Sequence, residues 1–354
     1  MSDNGKMYVD AVSRVLQDWC TKDAYDAAQA GGVHAGLWHS LESGGFTAMR
    51  VPEDQGGVGA TPVEAVELLR VAGRYGAPVP LAETMVASWV LSQVGLSQIR
   101  GPLTLALGDT PTSWKFAGGR GKRTLSGSQA EVAWGLGASV VVVSQKADEV
   151  LVGVIEPGRM SGTRRGNIAD EPRDHIVADK LSIAAVARSR NLSRDLILRH
   201  IALARAGQMV GALGHALEMS VRYVRDRSQF GRPLGKFQAV QQQLAVLAGE
   251  VAAVSAITDA AAARVDYSDG DLLVAAARAR LADAVDNVGI AHQVHGAMGF
   301  TREYPLHINT RRLWAWRDEY GSAVEWRERL GRHFIGTPAD ELWAKLAAVG
   351  CGSI

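Results

Sequence analysis

Three arginines crowd a point where one helix stops and another starts, and there the chain first offers residues for chemistry. Residues 223–245 read YVRDRSQFGRPLGKFQAVQQQLA. The stretch opens in a helical register and breaks at Phe230-Gly231-Arg232-Pro233. It resumes through Gln238, Val240, Gln241, Leu244 and Leu247. Pro233 lacks a backbone donor and Gly231 admits a tight turn, so a helix boundary falls here. Arg222, Arg225 and Arg227, with Asp226 among them, sit just before the break. A planar guanidinium fork can hold two phosphate oxygens, so arginines beside a compact turn suit a phosphate. The plainer reading of the same residues is a solvated helix end. A second stretch, AHQVHGAMGFTREYPLHINTRR at 291–312, puts Gly296 and Gly299 between helix-like segments, with Gln293 and His295 just ahead.

These residues need elements to position them. Residues 1–103 read mostly as helix, with Val12, Val15, Leu16 and Trp19 at i, i+3, i+4, i+7 spacing. Thr61 is placed as an N-cap, with Pro62 at N1 and Glu64 at N3. The Gly56–Gly59 run reads as a loop, because it lacks phosphate-loop spacing and a preceding strand. Residues 104–186 change character: 103–107, 138–144 and 149–156 are β-branched or alternating and predict strands. Residues 187–354 return to helix, in spans of about 194–225, 237–267, 271–293 and 304–333. A short helix carrying Trp343 and Leu346 is expected after Gly336.

The totals narrow the classes. The chain has 354 residues, 47% of them hydrophobic, enough for more than one core. A net charge of +1 gives no field to recruit nucleic acid. Cys20 and Cys351 lie at opposite ends, so neither a disulfide framework nor a metal cluster is expected. The N-terminus is polar and acidic, which argues against a signal peptide. Arg, Asp and Glu are expected to break the Ala-rich runs before about 18 residues, so no membrane span is anticipated. A soluble cytoplasmic protein follows as the expectation.

Together the quoted stretches resemble the acyl-CoA dehydrogenase family. The likenesses are RSQFG at 227–231 with its following glutamines, QVHGAMGF at 293–300, and LESGGFTAMRVPEDQGGVGATPVEAVELLRVAGRYG at 41–76. They stand in the family's order and span most of the chain. The resemblance implies a mainly α fold with a small β-domain. It divides the chain into an N-terminal helical domain (1–103), a shortened β-domain (104–186) and a C-terminal four-helix bundle (187–354), the last carrying the FAD-contact and oligomerisation surfaces. It implies FAD as cofactor, an acyl-CoA substrate and an electron-transfer flavoprotein or similar acceptor. It also implies a homologous subunit as partner, and neither nucleic acid nor membrane.

By the same resemblance, Arg227, Gln229, Phe230, Gln238, Gln293, His295 and Gly296 meet FAD bound mainly by a neighbouring subunit. Trp134, in EVAWGLGA at 131–138, would flank the flavin ring; it reads equally well as a sheet-core aromatic. GDTPTSWKFAGG at 108–119 stands where the family has a Thr-Glu-Pro-like segment. In the family a carboxylate takes the α-proton of the thioester. One family position for it falls at Tyr320, with Glu319 one residue short in WRDEYGSAVEW, 316–326. A one-residue step turns a helical side chain by about 100°. The other family position falls at Leu198, before Arg199, with Asp195 one turn earlier. Glu319 is therefore the first candidate base, ahead of Asp195 and Asp318. The plainer reading makes Asp318 and Glu319 partners of Arg317, Arg311 or Arg312. His307, beside Arg311, reads as structural.

The departures concern the chain's own site, and the retained motifs are those lent across an interface. This pattern resembles heteromeric acyl-CoA dehydrogenases, including those acting on steroid side-chain thioesters. The alternatives are a catalytic homo-oligomer with a relocated base, a flavin-free structural paralogue, or another flavin reaction on this scaffold.

Overall fold

The computed structural model describes residues 3–349 apart from 109, 111–112 and 120–121; Cys351 and part of the 108–119 segment therefore lie outside the described residues. The chain forms two compact units. The first holds Met1–Leu68 and Ala77–Ile201, the second Leu69–Gly76 and Ala202–Ile354.

The first unit begins with α1 (Asp3–Trp19), α2 (Lys22–Gln29) and α3 (Ala35–Ser43). Val12 and Leu16 of α1 are fully buried, as their spacing requires. Next comes α4 (Pro62–Arg74), whose last turns belong to the second unit. Its start is a reciprocal cap. The Thr61 amide donates to Glu64 Oε2 at 2.9 Å and the Glu64 amide to Thr61 Oγ1 at 3.3 Å, satisfying donors that a helix start leaves open. The next helix, α5 (Leu81–Gln93), is buried on every side from Leu81 to Ser92. Thr84 Oγ1 pins it to the following strand, accepting from the Leu103 amide and donating to the Leu103 carbonyl, both at 3.0 Å.

The strands are β1 (Leu103–Ala106), β2 (Lys115–Gly119), β3 (Lys122–Ala133), β4 (Ser139–Lys146), β5 (Glu149–Ile155), β6 (Ser161–Thr163), β7 (Arg173–Ile183) and β8 (Val186–Ser189). They pair as two four-stranded sheets, β1-β4-β5-β8 and β2-β3-β7-β6. A core of Trp114, Leu125, Val140, Val142, Ile155, Ile176 and Ile183 draws side chains from both sheets. The expected strands at 103–107, 138–144 and 149–156 correspond to β1, β4 and β5. The longest strands, β3 and β7, are not anticipated by the sequence reading. KRTLSGSQAEVA holds few β-branched residues, and register shifts at Leu125/Gly127 and Gln129/Val132 break its alternation.

The second unit takes the rest of α6 (Arg194–Asp226), then the hairpin β9 (Ser228–Gln229) and β10 (Arg232–Pro233). The helices α7 (Gln238–Arg264), α8 (Gly270–Asp286), α9 (Gly289–His295), α10 (Leu306–Trp316), α11 (Ala323–Arg332) and α12 (Ala339–Ala347) follow. Its core includes Met209, Leu213, Leu247, Val254, Leu281, Val285, Leu313 and Trp316. Glycine permits the close approach of α4 and α6. A Cβ on Gly73 would lie 1.8 Å from the Gln208 carbonyl oxygen, and one on Gly211 1.8 Å from that of Arg70. The Asn309 amide then donates to the Gly73 and Arg74 carbonyls at 3.0 Å.

Three expectations need correction. The 271–293 helix is two helices, broken around Asn287–Val288. The 304–333 helix is also two. The left-handed pair Tyr320 (φ 57°) and Gly321 (φ 113°) ends the first, and a Ser322–Glu325 capping box starts the second. Finally, α7 is long and apolar enough to cross a membrane by length and composition, contrary to the reading of the Ala-rich runs. Its interior acids, Glu250 and Asp259, pair with Arg280 and Arg70 respectively, and Leu247, Val254 and Ala261 bury one face of it in protein.

Candidate functional site

A two-residue hairpin displays the first stretch. Gln229 pairs with Arg232 and Ser228 with Pro233, leaving Phe230 and Gly231 as the loop. Both loop residues are left-handed, at φ 52° and 76°. That is the form two-residue hairpins favour, with Asn or Gly normally in the first place. A phenylalanine there costs about 1–2 kcal/mol. The side chain nevertheless points outward, 87% exposed, with Phe237 edge-on at 6.1 Å. Arg227 enters the hairpin with its backbone fixed: its amide donates to Tyr223 O at 2.9 Å and its carbonyl accepts from the Leu234 amide at 2.8 Å. Its side chain is exposed, as are Gln229 and Gln238.

The second stretch meets the first. The His295 ring lies 4.5 Å from that of Tyr223 and 4.8 Å from that of Tyr304. His295 Nδ1 faces Ala291 O at 2.6 Å, so Nδ1 carries the proton and Nε2 accepts from the Tyr304 hydroxyl at 3.1 Å. His292 repeats the pattern with Gly299 O and the Thr310 hydroxyl, each at 3.0 Å. Burial pushes both imidazoles below the usual histidine range, and their backbone hydrogen bonds oppose this only in part. Gln293 and Gly296 are exposed, and space beside Gly296 is open: no atom lies within 4 Å of where a Cβ would stand. A cleft of about 460 Å³, lined by Met219, Arg222, Tyr223, Asp226, Arg227, Tyr304 and Pro305, opens where the two stretches join.

The candidate carboxylate is turned toward a buried arginine. Glu319 Oε2 stands 3.0 Å from Arg205 Nη2, and the side chain is only 17% exposed. Arg205 lies over the rings of Trp316 (4.9 Å) and Tyr320 (5.6 Å). The backbone around Glu319 is gripped by Arg278 of α8. Its Nη2 donates to Glu319 O at 2.7 Å and Arg317 O at 3.0 Å, with Trp316 O at 3.3 Å and Gly321 O at 3.4 Å beside them. A helix C-terminus leaves such carbonyls without partners, and a cation is the group best suited to them. Burial, with the like charge of Arg205 next, pulls the Arg278 pKa down to about 10; it stays charged at neutral pH. Asp318 pairs instead with Arg317 at 3.2 Å, and Asp195 is exposed at the start of α6. His307 Nε2 donates to Arg302 O at 3.2 Å, a structural bond.

Sequence reasoning missed Arg205 and Arg278. Trp134, in the first unit, is 2% exposed, and its indole donates to Gly32 O at 3.0 Å. Ala28, Ala133 and Ala138 surround it, and the Arg173 guanidinium lies 5.5 Å from its ring. Among the described residues no His, Cys, Asp and Glu cluster suits a metal.

Residues 2–101 match the N-terminal domain of acyl-CoA dehydrogenase and residues 195–317 its C-terminal domain. The chain is 33% identical over 300 residues to acyl-CoA dehydrogenase FadE28 of Mycobacterium tuberculosis, covering 76% of this chain and 84% of that one. It is 30% identical over 342 residues to acyl-CoA dehydrogenase FadE27 of the same organism, covering 86% and 89%. Among solved structures, the ChsE4-ChsE5 complex from Mycobacterium tuberculosis is similar in fold, with a TM-score of 0.85 at 24% identity over 96% of this chain and 99% of that one. A variant of the Tcur3481-Tcur3483 steroid ACAD gives a TM-score of 0.82 at 25% identity, over 98% and 99%. Both halves of the motif set thus lie in matched regions, and the chain belongs to the acyl-CoA dehydrogenase family.

Proposed function

We propose that this chain is the supporting subunit of a hetero-oligomeric, FAD-dependent acyl-CoA dehydrogenase. It completes a flavin site whose base and remaining flavin contacts lie in a homologous subunit. The reaction is α,β-desaturation of an acyl-CoA thioester. A bulky, steroid-derived acyl group is the favoured class, since one similar structure is a steroid ACAD and another is a two-component complex. When bound, FAD accepts the β-hydrogen as hydride.

One observation carries the reading. The end of α6 with Arg227, and the Tyr304-Pro305 segment on which His295 packs, line one exposed cleft, while Glu319, the nearest candidate base, is tied inward by Arg205. The donor set fits the adenosine-pyrophosphate end of FAD. The exposed Arg227 guanidinium suits a pyrophosphate oxygen pair. Phe230 offers an uncovered aromatic face, and Gln293 with the open backbone at Gly296 suits the adenosine side. Trp134, the residue expected to flank the isoalloxazine ring, is instead enclosed by its own unit. This division matches a lent half-site. Domain limits at 103/104 and 186/187, a cytoplasmic location and an electron-transfer flavoprotein as acceptor belong to the same proposal.

The test is to purify the chain alone and co-expressed with a homologous subunit. Visible flavin absorbance and acyl-CoA dehydrogenase activity with an artificial acceptor are then compared. Flavin and turnover should appear only in the pair. Full FAD occupancy and robust turnover by this chain alone overturn the proposal.

A further inference from the structure

Glu319 is held at two levels by two buried arginines from different helices. Arg278 grips the backbone on both sides of it, and Arg205 holds its carboxylate. Arg205 and Arg278 are each 2% exposed, and Arg278 Nη1 also donates to Met209 Sδ at 3.2 Å. Two guanidinium groups in one interior repel, and the Glu319 carboxylate is the negative charge set between them and the turn. A proton placed on Glu319 would leave two buried cations without that counter-charge, and removing one partner from a buried charged set is strongly unfavourable. A catalytic base must do the opposite: it must present an oxygen to the substrate and take up a proton at little cost. Here Oε2, the oxygen facing Arg205, is buried.

We propose that Arg205 and Arg278 are positioning residues that lock the 316–321 turn, with Glu319 as the counter-ion that completes the lock and not as the proton acceptor of the dehydrogenation. This rests on the supporting-subunit reading and specifies what the turn does within it. The turn is a fixed wall whose left-handed Tyr320, at the position expected for the base, is held under the Arg205 guanidinium.

The experiment compares the native chain with Glu319→Gln, Arg205→Lys and Arg278→Lys, and has two readouts. The first is backbone amide exchange across 317–322 in the FAD-free full-length chain. The second is the pH profile of flavin reduction by acyl-CoA in the co-purified pair. Glu319→Gln should speed exchange in the turn by about tenfold or more while leaving flavin reduction within about twofold and its pH profile unmoved. Arg278→Lys keeps a charge but loses the fork, so it should loosen the turn less than Glu319→Gln does. Loss of flavin reduction on the order of a thousandfold in Glu319→Gln, with binding intact, would overturn the inference. Unchanged exchange in both Glu319→Gln and Arg278→Lys would overturn it equally. If the chain alone holds FAD and turns over, the supporting-subunit reading falls. Glu319→Gln in that active chain then still decides the inference: retained turnover upholds the lock, and lost turnover removes it.

Discussion

Replacing Arg278 by methionine tests the account of the 316–321 turn most directly. Methionine keeps an unbranched side chain beside Met209 but supplies no donors. Two short hydrogen bonds disappear, to Glu319 O at 2.7 Å and Arg317 O at 3.0 Å. Each of these part-buried carbonyls left without its protein partner costs at most about 1–3 kcal/mol. Removing a fully buried guanidinium returns part of that, because its desolvation is no longer required. The net loss is about 2–4 kcal/mol, a large share of the roughly 5–15 kcal/mol that holds a typical fold. At about 2–4 °C per kcal/mol, the transition containing the second unit should fall by roughly 5–15 °C. The control is Arg327→Ala, which removes an ion pair to Asp283 with both side chains 50% exposed. A pair so open to water contributes at most about 1 kcal/mol, so its melting point should shift by only a few degrees. Scanning calorimetry of the full chain measures both. Equal shifts in the two variants, or an Arg278→Met melt within a degree or two of native, would refute the reasoning.

Other outcomes follow from the same geometry. Arg227→Ala should weaken FAD retention in the assembled pair by about ten- to a hundredfold, the worth of a charge-assisted hydrogen bond to phosphate, while the melting point of the chain stays put; unchanged flavin retention removes Arg227 from the site. Phe230→Asn places a residue suited to the left-handed hairpin, so it should stabilise the isolated chain by up to about 1 kcal/mol and weaken flavin retention in the pair; a destabilised chain would show that the ring is held by its own subunit. The pH response is set by His292 and His295, with His215 and His307 shifted in the same direction, all lowered chiefly by burial. The unfolded chain takes up these protons first as pH falls below about 6.5, so stability is present above that pH and is lost as pH drops toward the lower folded values. Thermal melts from pH 8 to 5 should show this decline, and His292→Gln with His295→Gln should flatten it; an unchanged slope would mean the two rings titrate as in the unfolded chain.

Much of the fold was legible where local chemistry and global packing agree. The Thr61-Pro62-Glu64 run announces a helix start because the cap is made within four residues, and the structure makes it there. Apolar runs such as 138–144 read as strands because β4 is buried over most of its length. β3 and β7 escaped because their pairing, with its two register shifts, is decided by each other and not by either sequence alone. The helix breaks at 287–288 and 317–322 escaped for a related reason. No proline marks either, and the second depends on a buried arginine from α8 to accommodate the open carbonyls.

The site divides along the same line. The exposure of Arg227, Phe230 and Gly296 goes with turns whose backbone requirements the sequence reveals, while Gln293 is exposed on the last turn of α9. What the candidate base does was not legible, because the direction of a side chain depends on its partner. Spacing alone offered Arg317, Arg311 or Arg312 to Glu319, all within the same local stretch. The actual partner, Arg205, lies more than a hundred residues earlier on α6, and Arg278 reaches the same turn from α8. Nothing in an alanine-rich helix distinguishes an arginine that snorkels to water from one that turns inward to a carbonyl. The distinction matters for function, since an outward Glu319 would be free to take a proton and the observed Glu319 neutralises an interior charge. A turn that commits Glu319 to Arg205 and Asp318 to Arg317 uses both of its carboxylates as counter-ions. On the supporting-subunit proposal, a chain built this way contributes to dehydrogenation through what it displays at Arg227 and Phe230, with the proton transfer made by another chain.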